Sequence, residues 1–183
     1  MRMRILLLCV AAASILAAEP AITKPDVRDS LEGVERSMSD RLRTNEALST
    51  MYVLWQPRGA YLEGYGAVFT LELNLVPMGD ISPFQKAYSA EQKRQLNIRK
   101  RQRLEDLTEQ ARLMLVDAAK QLKVLPEGEK IALAVTLFHY NWEDVTDLPS
   151  QLVVQAPRTA LLAGAAGNLS KAALRAQIQE RQF

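Results

Sequence analysis

Apolar residues recur every three or four positions in two stretches of this 183-residue chain, which is the spacing of an amphipathic helix. In the first stretch the apolar positions share one face and predict a helix over about 26–46; they are Val27, Leu31, Val34, Met38 and Leu42. In the second, apolar residues follow a near-heptad pattern from Leu104 to Leu125, and no proline interrupts the chain between Ala87 and Pro126. The pattern therefore predicts one medium helix and one long helix.

The apolar stripe of the long helix stops before the helix begins. Continued backwards from Leu104, the same positions hold Lys100, Asn97 and Lys93. Because these side chains are polar, we expect the start of this helix to project into solvent. The apolar seam could join two subunits as a coiled coil, or cover the sheet of its own chain.

Four shorter stretches have the character of β-strands, at 51–56, 67–76, 131–139 and 151–156. The second is the clearest, because its apolar residues alternate with a partly polar set that includes Thr70, Glu72 and Asn74. Such an alternation is typical of a sheet that is covered on one side only. Pro57 and Pro157 mark the ends of the first and fourth strands.

The element order α-β-β-α-β-β-α favours an α+β fold over a doubly wound parallel sheet, since the strands come in pairs. We expect a single two-layer domain with an antiparallel sheet of about four strands and helices, one of them long, mainly on one face. The domain is predicted to span residues 26–158. Residues 159–183 are predicted to form a C-terminal helical extension, with its last helix over 170–182.

Residues 1–18 have the charged, apolar and small-residue order of a cleavable signal peptide, and residues 19–25 form a lead-in. The apolar run from Ile5 to Ala18 is short for a hydrocarbon core of roughly 30 Å, so a retained anchor is the weaker alternative. The single cysteine, Cys9, lies inside this run and leaves with it. The sequence therefore predicts a periplasmic or secreted protein without cysteine.

Apolar residues make up 48% and charged residues 24% of the chain, which excludes a mostly disordered protein. Cleavage of the leader removes Arg2 and Arg4 and leaves 21 of the 23 basic side chains against 21 acidic ones. A mature chain with almost no net charge gives no support to a role in nucleic-acid binding.

His139 is the only histidine, and three acids follow it closely: Glu143, Asp144 and Asp147. A histidine beside carboxylates could act as a general base, so a periplasmic hydrolase or lyase is the alternative function. The chain has no nucleophile elbow, and one histidine without cysteine is a poor zinc set, so we expect no metal and no cofactor. A surface or strand-end histidine is the simpler interpretation.

Two other segments are candidates for binding. Tyr61 and Tyr65 lie among glycines between the first two strands, where they could line a groove, although the glycines also suit a hairpin or bulge. A basic segment without acids could contact anionic lipid or a polyanion; its cations are Lys93, Arg94, Arg99, Lys100, Arg101 and Arg103. The alternative for this segment is a solvated helix end.

These observations favour an exported, non-catalytic binding or scaffolding protein of the bacterial cell envelope. Its expected partner is another envelope protein or a second copy of itself.

Overall fold

Two pairs of consecutive strands lie between helices in the computed structural model, which describes residues 24–78 and 87–183. The elements are α1 (Lys24–Thr44), β1 (Tyr52–Leu62), β2 (Gly66–Asn74), α2 (Ala90–Gln121), β3 (Lys130–Leu137), β4 (Gln151–Pro157), α3 (Arg158–Ala165), α4 (Lys171–Gln177) and β5 (Gln179–Gln182). The predicted signal peptide, residues 1–18, and the lead-in as far as residue 23 lie outside the described residues. The α+β class, the long helix and the four predicted strands are confirmed.

The five strands form one mixed sheet in the order β1-β2-β3-β4-β5, so the prediction of a purely antiparallel sheet was wrong. Three neighbouring pairs are antiparallel, but β2 and β3 run parallel, with Ala67 opposite Ile131 and Leu73 opposite Leu137. A parallel pair needs a long crossover connection, which α2 supplies with its 32 residues. The helix carries the chain back along the sheet, so that β3 starts beside the start of β2.

The last predicted helix ends early and gives way to a fifth strand. Helix α4 stops at Gln177, Ile178 turns into an extended conformation, and its buried side chain joins the core. Strand β5 then pairs with β4, and Gln151 and Phe183 exchange main-chain hydrogen bonds of 3.0 and 3.1 Å. Residues 159–183 therefore belong to the same sheet and core as the other elements of the described residues.

A single hydrophobic core joins the helices to one face of the sheet. The apolar stripes of α1 and α2 pack on the inner residues of β2, β3 and β4, and Leu161 of α3 extends this layer. The seam of α2 is buried against its own sheet, as Leu107 and Leu115 illustrate with no exposed surface. The side chains of the opposite face alternate with the core residues, and Thr70 and Thr136 among them are exposed. We call this side the open face.

Helix α2 begins with a capping box at Ser89. The Ser89 hydroxyl accepts a hydrogen bond from the main-chain N–H of Gln92 at 3.2 Å, and the Gln92 side chain accepts one from Ser89 at 2.8 Å. As expected for the start of this helix, residues 90–95 are exposed except for the half-buried Lys93, but the exposed segment ends there. Leu96, Asn97 and Lys100 are at most 2% exposed, because the segment after β3 packs across them.

Candidate functional site

The predicted histidine lies in a buried polar cluster of three side chains, Lys100, His139 and Glu143, which we call the Lys100 cluster. The ammonium of Lys100 forms an ion pair with Glu143 and lies 3.3 Å from Nδ1 of His139. It also donates to the main-chain oxygen of Phe138 at 3.4 Å. The three hydrogens of the ammonium group thus have three acceptors, which is what a fully buried lysine requires.

The hydrogen bonds of His139 assign its tautomer. Its Nε2 lies 3.1 Å from the carbonyl oxygen of Pro149, which can only accept a hydrogen bond, so Nε2 carries a proton. In the neutral ring with this tautomer, Nδ1 is the acceptor for Lys100. Nδ1 also lies 3.6 Å from Oε2 of Glu143.

Both charged members of the cluster have shifted pKa values. Burial lowers the pKa of Lys100, although its hydrogen bond and charge interaction with Glu143 oppose that shift. Burial alone would raise the pKa of Glu143, but the contacts with His139 and Lys100 outweigh it and lower that pKa. The carboxylate is therefore kept ionised by its partners rather than by water.

A second set of contacts attaches the loop between β3 and β4, which carries His139 and Glu143, to α2. The side-chain amide of Asn97 donates to the main-chain oxygens of Asp144 and Thr146, both at 2.9 Å. Its oxygen accepts from Nε of Arg101 at 2.8 Å, and that guanidinium lies 3.6 Å from Asp147. Asn97 and Lys100 occupy consecutive turns of the helix, so together they bind the loop at two points.

The Lys100 cluster is closed to substrates in this conformation. The side chains of Lys100 and Glu143 are 0% and 1% exposed, and that of His139 is 13% exposed. Of the acids that the sequence places near His139, only Glu143 reaches it; Asp144 accepts a hydrogen bond from Thr146, and Asp147 faces Arg101. The arrangement has the residue types of an acid–base site and the burial of a structural ion pair.

The basic segment does not form one continuous surface. Lys100 is buried, so it does not belong to the exposed face that the sequence predicted for it. Arg94 pairs with Glu91, and Arg103 donates to the main-chain oxygen of Ala47 at 3.0 Å. Arg99 approaches the sulfur of Met78, Arg101 turns toward the loop after β3, and Lys93 is half-buried. The six cations therefore point in several directions.

The two candidate tyrosines lie on opposite faces of the sheet. Tyr61 is opposite Ala67, packs against the core, and donates its hydroxyl to Glu129 at 2.9 Å. Tyr65 donates to the Gln155 side chain on the open face at 2.5 Å. They do not line a common groove, and Gly64 between them serves the β1–β2 hairpin with a φ of +77°.

Strand β1 carries an aromatic residue that the sequence analysis did not single out. Val53 and Trp55 pair with Leu73 and Glu72, which are neighbours on β2, so Leu54 is an extra residue. Residues two apart on a regular strand share a face, and the bulge instead places Trp55 on the open face, opposite Glu72. The indole is 71% exposed.

A second irregularity in the pairing of β1 with β2 follows directly after Trp55. From Trp55 to Arg58 the chain advances three residues while the partner strand advances two, from Glu72 to Thr70. This shift keeps Arg58 on the open face and returns Gly59 to the core face. Strand β1 therefore continues through Pro57, where the sequence predicted its end, because an edge strand tolerates a proline at a bulge.

The two irregularities shape a groove of 470 Å³ on the open face, which we call the Trp55 groove. Trp55, Gln56 and Arg58 contribute its edge, and residues of β2 and β3 form the floor. Among the floor residues, Glu72 lies opposite Thr136 in the parallel register, and Thr70 lies two residues before Glu72 on the same face. Among the grooves of the described residues, this one combines an exposed aromatic ring with polar groups of both signs.

Comparison of the chain with protein-family models gives no match, and comparisons with curated proteins and with solved structures give none either. No helix among the described residues has the length and apolar character needed to cross a bilayer. Within residues 24–78 and 87–183, no group of three or more His, Cys, Asp and Glu side chains is placed to hold a metal ion.

Proposed function

We propose that this chain is a non-catalytic binding or scaffolding protein of the bacterial cell envelope, and that it contacts its partner through the open face of the sheet. The observation that carries the proposal is the position of Trp55. Two consecutive strand irregularities hold this large side chain in a groove instead of the core. An exposed aromatic beside polar groups is the usual composition of a binding surface.

The closure of the Lys100 cluster supports a binding function over a hydrolase or lyase. A general base must come within hydrogen-bond reach of the proton that it removes. Here Nε2 of His139 already donates to a main-chain carbonyl, Nδ1 faces an ammonium, and Glu143 is 1% exposed. The cluster fixes the loop between β3 and β4 to helix α2, and this structural role is enough to explain why these three residue types are present.

Export is the second part of the proposal, and it rests on the sequence of residues 1–18. A mature chain beginning near Glu19 in the periplasmic fraction is the expected result of mass spectrometry on the native protein. Recovery of the intact chain with Met1 in the cytosol would contradict it.

Site-specific photocrosslinking tests the binding surface. A benzophenone side chain at Thr70, which lies exposed on the open face, should give discrete adducts with envelope material after irradiation. Benzophenone inserts into C–H bonds of any chemical class, so the test does not assume the kind of partner. The matched control is the same probe at Lys120, an exposed position on α2, the helix that packs on the other face of the sheet.

Adducts at position 70 and none at position 120 are expected. Equal labelling at both positions, or no adduct at position 70, would contradict a binding role for the open face.

A further inference from the structure

The charge of the Trp55 groove selects against strongly charged ligands. Arg58 and Glu72 are its two ionised residues and have opposite signs, and Gln56, Thr70 and Thr136 are neutral. The Arg58 guanidinium also lies 3.6 Å from Glu35 of α1. A site with no net charge offers no Coulombic advantage to a polyanion or a cationic peptide.

The distribution of polar and apolar groups fits a molecule with one apolar face and a rim of hydroxyl groups. The indole of Trp55 offers a large flat apolar surface that is 71% exposed. The residues that line the groove beside it carry donors and acceptors: Arg58, Glu72, Thr70 and Thr136. Hydroxyl groups of a ligand both donate and accept, so they can use all of these partners.

The size of the groove fits a small ligand. Thr70, Leu71, Glu72 and Thr136 form its floor. The volume of 470 Å³ lies within the range of roughly 300–1,000 Å³ that is usual for small-ligand sites. A pyranose ring has an apolar face of axial C–H groups and an equatorial rim of hydroxyls, so it matches both the aromatic surface and the polar border.

We infer that the Trp55 groove binds an uncharged oligosaccharide, with a sugar ring stacked on Trp55 and its hydroxyls bonded to Glu72, Arg58 and the two threonines. The inference rests on the proposed function, because it names the ligand class of the same open face. It goes further in excluding a protein surface as the main ligand of the groove.

Calorimetric titration of the full chain tests the inference. The probes are three neutral tetrasaccharides: β-1,4-linked N-acetylglucosamine tetramer, cellotetraose and maltotetraose. At least one of them should bind saturably with a Kd below about 1 mM. Trp55→Ala should raise that Kd at least tenfold, whereas Trp55→Tyr, which keeps an aromatic surface, should change it much less.

Two further variants make the result specific. Thr70→Lys places a long cationic side chain on the floor and should abolish binding; it also replaces Trp55→Ala should that variant fail to fold. Val145→Ala removes an apolar side chain that is 46% exposed outside the groove, and its Kd should equal that of the wild type.

Absence of saturable binding with all three probes overturns the inference, as does binding that Trp55→Ala and Thr70→Lys leave unchanged. These failures are distinguishable from failure of the proposed function. Adducts at position 70 with envelope proteins, together with silent titrations, would keep the open face as a binding surface and assign it to a protein. Loss of both signals would remove both proposals.

Discussion

The ammonium of Lys100 and the carboxylate of Glu143 form an ion pair in which neither side chain has more than 1% of its surface exposed. The pair joins the first third of helix α2 to the loop between β3 and β4, 43 residues farther along the chain. Taking two charges out of water is costly, and the contact between the opposite charges offsets this cost, although Oε1 of Glu143 has no hydrogen-bond partner. The same pair therefore determines how the loop responds to mutation and to pH.

Removal of one charge of this pair should destabilise the protein strongly. In Glu143→Gln the ammonium of Lys100 remains buried without its counter-ion, and the expected loss is about 3–5 kcal/mol in the free energy of unfolding. Chemical denaturation monitored by circular dichroism measures it. The matched control is Glu32→Gln in the exposed ion pair with Arg28, which should leave the denaturation midpoint unchanged.

Removal of both charges should restore most of the lost stability. The double variant Lys100→Met/Glu143→Leu leaves an apolar pair of similar volume, and such replacements are often neutral or stabilising. We expect its free energy of unfolding to lie within about 2 kcal/mol of the wild type. A double variant as unstable as Glu143→Gln would show that the loop needs the ion pair itself.

Acid should weaken the protein through Glu143. Because the pKa of this carboxyl is lowered in the folded state, the unfolded chain binds a proton more readily as the pH falls. The stabilisation is fully present above the ordinary pKa of a glutamic acid and is lost as the pH falls through the lowered value. Unfolding free energies between pH 2 and pH 7 should therefore fall less steeply in Lys100→Met/Glu143→Leu than in the wild type; parallel curves would contradict this assignment.

Gly66 should be irreplaceable at the parallel junction of β2 and β3. Its φ is +126°, and an added Cβ would overlap the carbonyl oxygen of Lys130. Gly66→Ala should lower the free energy of unfolding by more than about 2 kcal/mol, measured by chemical denaturation. Gly128→Ala is the matched control, because a Cβ there meets no described atom within 4 Å, and it should be neutral. Equal effects of the two variants would disagree with this geometry.

Strand β5 should depend on a bidentate contact with α2. Arg112 donates from Nε and Nη2 to the two carboxylate oxygens of Glu180, at 2.6 and 2.8 Å. Arg112→Ala should loosen the strand by about 1 kcal/mol, and amide hydrogen exchange at 179–183 should quicken about fivefold. Lys120→Ala breaks an exposed pair with Asp117 and should leave those amides unchanged. Unaltered exchange in Arg112→Ala would show that β4 alone holds the strand.

The helices and the inner face of the sheet were predictable because burial imposes a period on the sequence. Val34, Met38 and Leu107 lie in the core where their spacing placed them, and so does Phe69. The open face followed from the polar alternation of the second strand. The spacing of apolar residues shows which side chains are buried, because each helix buries one stripe and each strand one face.

The features that the sequence left open depend on contacts between distant residues. The parallel pairing of β2 and β3 is fixed by the path of α2, which no local pattern records. A signal for the Lys100 cluster was present, since Asn97 and Lys100 continue the apolar stripe of α2 and so face inward. Polar residues at such positions indicate buried partners, but the partner of Lys100 became apparent only when the fold placed Glu143 beside it.

The two bulges of the edge strand β1 are equally hard to recognise from the sequence. Around Trp55 the alternation of inward and outward side chains is interrupted where the pairing with β2 shifts its register. A regular strand would have placed this side chain on the core face.

The two borders of the sheet limit how copies of this protein can assemble. One border strand has two register shifts and a proline, and the other is only four residues long and entirely polar. Neither border is a good template for the hydrogen bonds that would extend the sheet into a neighbouring molecule. Any polymer or dimer that this protein forms should therefore use surfaces other than these two border strands. Fibril growth by the addition of strands should be blocked at both borders of the sheet.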